Sequence, residues 1–486
     1  MINNDTIVAL ATASGSGAIA VIRLSGIDAI TFVDKHFRSV KGNKSLINQK
    51  SHSIHLGHII DGEREIDEVL VSIFKNPNSY TGENVVEISC HGSQYIQQEI
   101  IQLFLRAGCR MADAGEFTLR AFLNGKLDLS QAEAIADLIA SDNAASHKIA
   151  MQQMRGGFSS EIAKLRVELM NFASLIELEL DFAEEDVEFA DRTQFKELID
   201  RISFVLKRLI DSFAVGNVIK NGIPVAIVGE PNVGKSTLLN TLLNEERAIV
   251  SDIAGTTRDT IEDEISIGGI GFRFIDTAGI RETKDVVESI GIQKTFEKIE
   301  QAQVIIYLLD STKLQDPEQT DGHKSMIAEF NGYTAIDTSV VEINKLRNKF
   351  PQTPLLVISN KIDQVPEAFT AFLSKRLQAI EGAHLLPISA KKGIGIEELK
   401  DTLVSFVNAG ALRNNETIVT NTRHYDSLLK AFEEIQKVSY GLDSGLSGDL
   451  MAIDIRQALH HFGEITGEIT TDDLLGNIFA NFCIGK

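Results

Sequence analysis

Gly229-Glu230-Pro231-Asn232-Val233-Gly234-Lys235-Ser236 follows the apolar run at 223–228 and precedes Thr237-Leu238-Leu239. The order is strand, glycine loop, helix, with the spacing of a phosphate-binding loop. Glycines let the backbone wrap an anion, so amide N–H groups and a helix N-terminus face it. Lys235 reaches β- and γ-phosphates in such loops, and the Ser236 hydroxyl binds Mg²⁺. Asn232, Val233, Gly234, Lys235, Ser236 and Thr237 are therefore the expected phosphate contacts.

Four stretches downstream specify guanine. Asp276-Thr277-Ala278-Gly279 follows the apolar residues 272–275. An Asp at a strand end holds the Mg²⁺ shell, and Gly279 offers an amide to the γ-phosphate. Asn360-Lys361-Ile362-Asp363 ends the apolar run 355–359. The Asp363 carboxylate can accept from N1–H and the 2-amino group of guanine, a donor pair that adenine lacks. ATP would leave that carboxylate unpaired. Ser389-Ala390-Lys391, after residues 385–388, completes the base pocket. Thr256-Thr257 lies between loop and strand, where Thr257 can cap Mg²⁺ once a γ-phosphate is present. Each stretch alone is a weak signal; together, in this order, they imply a GTPase.

The chain's 486 residues suggest about three domains. Lys and Arg number 47 against 68 Asp and Glu, a net charge of −21, which argues against coating nucleic acid by charge alone. Cys90, Cys109 and Cys483 are the three cysteines, an odd number that suits a reducing compartment. Cys90-His91 looks like half a metal site, but no second pair appears, so a structural role is expected. The polar residues 1–5 carry no signal or transit pattern. No apolar run approaches the roughly 18 residues of a membrane span. A cytoplasmic protein without a membrane partner is the expectation.

Proline draws the organisation. None lies between Pro77 and Pro224, and none after Pro387. Residues 1–120 read as mixed α and β, with strands at 6–11, 18–24, 69–74 and 85–89 and a helix at 93–107. Ser14-Gly15-Ser16-Gly17 suggests a dinucleotide loop, but a strand follows it where such a loop needs a helix. Residues 121–216 read as helical, 217–408 hold every GTPase motif, and 409–486 read as helical again. Residues 181–191 are rich in acids and suit a solvated face. The expected fold is a multidomain one of α+β and α/β parts: an α+β N-terminal domain, a helical domain from both helical stretches, and an α/β G domain inserted between them.

The GTPase is unusual. Ras-like switches place a Gln after the Asp-x-x-Gly motif to orient the attacking water; here the residue is Ile280. Transition-state charge then needs another partner. The loop 251–256 could ring a monovalent cation with its carbonyls, and the Asn232 side chain could join it. Glu288 could orient the water, or it could be a capping or surface acid.

The whole chain resembles the TrmE-type (MnmE) family of tRNA-modification GTPases. The resemblance rests on Asp5-Thr6-Ile7-Val8-Ala9, Ile22-Arg23-Leu24-Ser25-Gly26, the stretch from Pro77 to Glu83 and the stretch from Arg120 to Leu129. Residues 249–259 resemble the family's switch I, and Phe482-Cys483-Ile484-Gly485-Lys486 its C-terminal tail. It implies an N-terminal domain similar to tetrahydrofolate-binding domains that forms a homodimer. Arg23, Glu87, Lys126 and Lys486 match the contacts to a folate carrying a one-carbon unit, such as 5,10-methylene- or 5-formyl-tetrahydrofolate. It implies K⁺ at Asn232, Ser251, Ile253 and Thr256, Mg²⁺ at Ser236 and Thr257, and Glu288 as the catalytic glutamate. Ser251, Thr256 and Thr257 join the GTP-binding set. It also implies a heterotetramer with the FAD protein MnmG (GidA), which puts an aminomethyl or carboxymethylaminomethyl group on C5 of the wobble uridine of certain tRNAs. The tail is expected to dock between the N-terminal and helical domains, with Cys483 near the one-carbon unit and no covalent role assigned. A ribosome-assembly GTPase would need a basic RNA-binding module or a second G domain, and neither is present. A membrane-acting regulatory GTPase conflicts with the negative charge.

Overall fold

The computed structural model describes residues 5–40, 42, 44–181, 192–246, 262–276, 299–314, 334–377, 380, 382–406, 417–480 and 482–485. The chain divides into two compact units, one of residues 1–140, 150–210 and 422–486, the other of 141–149 and 211–421. The second interrupts the first in sequence.

The first unit opens on a seven-stranded sheet. Its strands are β1 (Ile7–Leu10), β2 (Ile19–Ser25), β3 (Phe37–Ser39), β4 (Ser53–Asp61), β5 (Arg64–Phe74), β6 (Val85–His91) and β7 (Arg110–Met111), in the order β3-β4-β5-β6-β2-β1-β7. Only the β1–β7 pair is parallel. Side chains alternate across the pleat. Ile22 and Leu24 of β2, Val71 and Ile73 of β5 and Val86 and Ile88 of β6 are fully buried under the helices Ala29–Lys35 and Gln94–Arg106. Arg23 and Glu87 occupy intervening positions and are cross-strand partners in the β2–β6 register.

Gly15 and Gly17 introduce β2, as the strand reading requires. Gly17 pairs with Gly92 through its N–H at 3.0 Å. Cys90 is buried with its thiol pushed up to about 11, chiefly by desolvation, so it behaves as core. No cluster of His, Cys, Asp and Glu among the described residues can hold a metal.

Helices complete this unit. Asp128 and Gln131 cap the helix Leu129–Ile139 reciprocally: the Asp128 carboxylate accepts from Gln131 N at 2.9 Å, and Gln131 Oε1 accepts from Asp128 N at 3.0 Å. Helix Gly448–Thr466 packs against both Thr422–Asp443 and Gly157–Asp181, burying Met451, Ile455, Ala458 and Phe462. One charge is enclosed among them. Glu133 receives Arg423 in a two-pronged pair, Nε to Oε1 at 2.9 Å and Nη2 to Oε2 at 2.8 Å. His424 Nε2 donates to the same Oε2 at 2.6 Å, with its ring 5.0 Å from that of Phe158. Arg423 Nη2 also reaches the Ile465 carbonyl at 3.2 Å. Burial raises the Glu133 pKa, but His424 and Arg423 outweigh it and hold the carboxyl at about 2. A residue before the insertion thus grips the first turn after it.

The second unit holds a six-stranded sheet: β8 (Ile223–Val228), β9 (Glu262–Ile267), β10 (Ile270–Asp276), β11 (Val304–Asp310), β12 (Leu355–Asn360) and β13 (Ala383–Pro387), in the order β13-β12-β11-β8-β10-β9. All neighbours are parallel except the β9–β10 hairpin. Continuous apolar runs are what a sheet covered on both faces requires. β11 and β12 are buried at every position, their side chains divided between two apolar clusters. Parallel order brings the C-terminal ends of β8, β11, β12 and β13 to one edge, the usual place for a ligand in such sheets.

Candidate nucleotide and N-terminal sites

At that edge the loop 229–234 leaves β8 and enters the helix Lys235–Glu246. Lys235 Nζ donates to the Gly229 carbonyl at 2.7 Å. Gly234 lies at φ +104, and a Cβ there would stand 2.3 Å from Asn360 Nδ2, so only glycine fits. The loop's outer carbonyls are held from the neighbouring strand ends. Asn360 Nδ2 donates to Val233 O at 2.9 Å, and Lys361 Nζ donates to Asn232 O at 3.0 Å. Asn232 itself is exposed at φ +65. Ser236 and Thr237 are exposed at the start of the helix.

Asn360, one of the expected nucleotide residues, is 2% exposed and bonds to the surrounding backbone. Its Oδ1 accepts from Lys361 N at 2.8 Å and from Ala390 N at 3.0 Å. Asp363 lies in the short 3₁₀ turn Ile362–Gln364, with Oδ1 accepting from Ser389 Oγ at 2.7 Å. That hydrogen bond, first among its partners, holds the Asp363 carboxyl below its ordinary range. Ser389 and Ala390 are buried, and Lys391 is exposed. Asn232, Val233, Asn360, Lys361 and Ala390 are thus linked by hydrogen bonds, and Ser389, next to Ala390 in the chain, carries Asp363 to the same place. Asp276 ends β10 on the same sheet. Ser251, Ile253, Thr256, Thr257, Thr277, Ala278, Gly279, Ile280 and Glu288 lie outside the described residues.

Asp310 belongs to this network, and no motif announces it. It ends β11 as the register partner of Asn360 and accepts from Lys361 Nζ at 2.5 Å. Burial raises its pKa, but the Lys361 and Thr312 bonds prevail and lower it.

The second candidate site is in the first unit. Arg23 Nε and Nη2 both lie 2.9 Å from Glu87 Oε1. The Arg23 guanidinium stands 5.5 Å from the Tyr80 ring centroid and 5.6 Å from that of Phe117. Arg23 Nη1 also donates to the Gly485 carbonyl at 3.3 Å. Gly485, at φ +95, could not carry a Cβ, which would fall 2.1 Å from the Leu10 carbonyl. Ile484 bridges to Ala114, and Gly115 N donates to Cys483 O at 3.4 Å. Cys483 is exposed and Lys486 lies outside the described residues.

Lys126 is exposed and donates to the Pro77 carbonyl at 3.0 Å, within the same loop that carries Tyr80. That loop is pinned by Arg120, whose buried guanidinium meets Asp5 at 2.6 Å, Glu116 at 2.9 Å and Glu83 at 3.2 Å. Tyr80, Phe117 and the Gly485 carbonyl were not singled out by pattern. An aromatic ring or a peptide oxygen beside a distant arginine leaves no trace in spacing.

Family models match two stretches: "GTP-binding protein TrmE N-terminus" over residues 6–126, and "MnmE helical domain" over residues 129–483. The tRNA modification GTPase MnmE of Flavobacterium johnsoniae is 71% identical over 486 residues, covering 100% of both chains. MnmE of Cytophaga hutchinsonii is 53% identical over 485 residues, covering 100% of this chain and 98% of that one. Among solved structures, a variant of Era from Aquifex aeolicus bound to GDP and aluminium fluoride is 29% identical. It covers 43% of this chain and 66% of its own, with a TM-score of 0.28. On the full-length identity and the two family matches, the chain belongs to the MnmE (TrmE) family of tRNA modification GTPases.

Proposed function

We propose that this chain is a GTP hydrolase acting in modification of the tRNA wobble uridine. It would use a tetrahydrofolate one-carbon unit together with the FAD protein MnmG. The observation that carries this is the base-recognition network, Asp363 on Ser389 and Asn360 on Val233 and Ala390, in a chain whose kinship runs its full length. Domain limits of 1–120, 121–216, 217–408 and 409–486 accompany this reading.

Ser236, exposed at the first turn after the loop, offers Mg²⁺ a hard hydroxyl oxygen, with Thr257 as its partner. Asn232 offers an exposed amide oxygen, and Ser251, Ile253 and Thr256 complete an all-oxygen set suited to K⁺. Held by these residues, K⁺ would supply the positive charge that an arginine finger supplies in related enzymes. Arg23, beside the Tyr80 and Phe117 rings, offers donors and its partner Glu87 an acceptor, a chemistry that fits a pterin. Lys126 and Lys486 suit the folate's carboxylates. Folate, when bound, supplies the one-carbon unit. A homodimer through the N-terminal domain, and a cytoplasmic location, belong to the same proposal; no described helix is long and apolar enough to cross a membrane.

Mass spectrometry of wobble nucleosides from a strain lacking this chain tests the reading. Loss of the C5 substituent, restored by the wild-type chain, is expected; normal modification in the deletion strain overturns it. GTP turnover of the pure protein in K⁺ and Na⁺ tests the ion. A fall of about 10³ or more in Na⁺ is expected, the scale of a lost arginine finger, and equal rates reject the K⁺ set.

A further inference from the structure

Asp310 is joined to the nucleotide network through one atom. Its Oδ1 is occupied locally, accepting from Thr312 N at 3.0 Å and Thr312 Oγ1 at 2.6 Å. That local turn fixes the carboxylate and aims Oδ2 at Lys361 Nζ, 2.5 Å away. The same ammonium donates to the Asn232 carbonyl at 3.0 Å. One Lys361 side chain therefore ties the end of β11 and its own turn after β12 to the middle of the phosphate loop. Asp310 is 4% exposed, so its partner is not readily replaced by water.

Backbone conformation points to the same place. Among the described residues, three non-glycine residues have positive φ: His52, Asn232 and Lys361. Two of these three meet through this ammonium. Left-handed non-glycine residues persist where surrounding contacts over-determine them. Here the contacts are the Asn360 bonds and the Asp310–Lys361–Asn232 bridge.

We infer that Asp310 is a positioning residue for the guanine nucleotide, holding Lys361 across the phosphate loop so that the base and phosphate halves of the site are braced before the nucleotide arrives. This rests on reading the site as a guanine-nucleotide site. Asp310 reads no base itself, since its two oxygens are taken by Thr312 and Lys361. Its effect is preorganisation: without the brace, the nucleotide must order the loop as it binds. Lys313 makes a comparison. It reaches Glu230 at 3.2 Å and the Pro231 carbonyl at 3.4 Å, but from a half-exposed position where such pairs contribute little.

The test is stopped-flow release of fluorescent mant-GDP and mant-GTP from the full chain, well below its melting transition. Asp310→Asn is expected to speed release of both by on the order of 10- to 100-fold, the scale for a lost hydrogen bond between charged groups. Preference for mant-GDP over mant-IDP should be unchanged, because Asp363 is untouched. Asp310→Glu should recover much of the affinity, and Lys313→Ala should stay within about twofold of wild type. A lowered melting temperature with wild-type release rates would assign Asp310 to folding alone and overturn the inference. If Asp310→Asn gives no cooperative melting, Thr312→Val, which removes the shorter of the two local bonds to the carboxylate and keeps the backbone one, should speed release severalfold; wild-type release there overturns it equally. Failure of the wild-type chain to retain mant-GDP would instead reject the guanine reading.

Discussion

Replacing Glu133 by Gln keeps the shape of the buried clamp and removes its charge. Two routes give the cost. The carboxyl sits at about 2 in the fold against an ordinary value of 4.5. That gap of roughly 2.5 pH units corresponds to about 3 kcal/mol. Independently, removing one partner of a buried ion pair costs about 3–5 kcal/mol. The folded pKa is depressed, so the stabilisation is complete above the unfolded value of 4.5 and is lost as pH falls towards 2. The chain has no Trp, so hydrogen–deuterium exchange on peptides from helix Thr422–Asp443 is the suitable assay. About 3 kcal/mol means exchange faster by on the order of 100-fold at pH 7. At pH 3 the difference between wild type and Glu133→Gln should be less than half of that. A change below about fivefold at pH 7, or a difference constant from pH 7 to pH 3, would refute the linkage.

Three further outcomes are expected. Glu288→Ala should lose most GTP hydrolysis while GTP binding, measured by fluorescent nucleotide titration, stays nearly intact; normal turnover would move the water-orienting role elsewhere. Asp363→Asn should weaken GDP affinity by about 10²-fold or more, since the site's paired donor–acceptor match is broken; xanthine nucleotides, whose C2 oxygen can accept from the new amide, should bind the variant better than they bind the wild type. Gly485→Ala forces a Cβ to 2.1 Å from Leu10 O. It should weaken folate binding by tenfold or more in equilibrium dialysis while GTP turnover is kept; unchanged folate affinity would free that site from the 482–485 segment.

The candidate nucleotide site could be read from sequence because its chemistry is local. The run from Gly229 to Ser236, the Asn360–Asp363 turn and Ser389–Ala390 each carry their geometry in a few consecutive residues at strand ends. Apolar runs made β1, β2 and β6 readable within a residue or two, β2 being expected at 18–24 and lying at Ile19–Ser25; β5 was expected only from residue 69 and begins at Arg64, and β3, β4 and β7, with few consecutive apolar residues, were not anticipated. The rest depends on distance in sequence. Glu133 meets Arg423 and His424 across the whole insertion, and nothing near Leu129–Ile139 marks that helix as a partner of the turn beginning at Thr422. Asp310 ends the apolar strand β11 with no motif around it, and only the register with Asn360 brings it to Lys361. Arg23 and Glu87 became a pair through the β2–β6 register, while Tyr80 and Phe117 arrive from a loop and a helix that pattern does not orient.

Asn360 has a use beyond the wild-type ligand. Its oxygen is spent on two backbone amides and its amide on the loop carbonyl, so the residue behaves as an interlock. Tight geometry at this side chain and selectivity at Asp363 are then separable quantities. An engineer wishing to make this enzyme answer to an orthogonal nucleotide in a cell can redraw the Asp363 contact alone. Exchanging Asn360 would instead unfasten the loop at Val233 and the pocket wall at Ala390 in one step, and no choice of base would restore them.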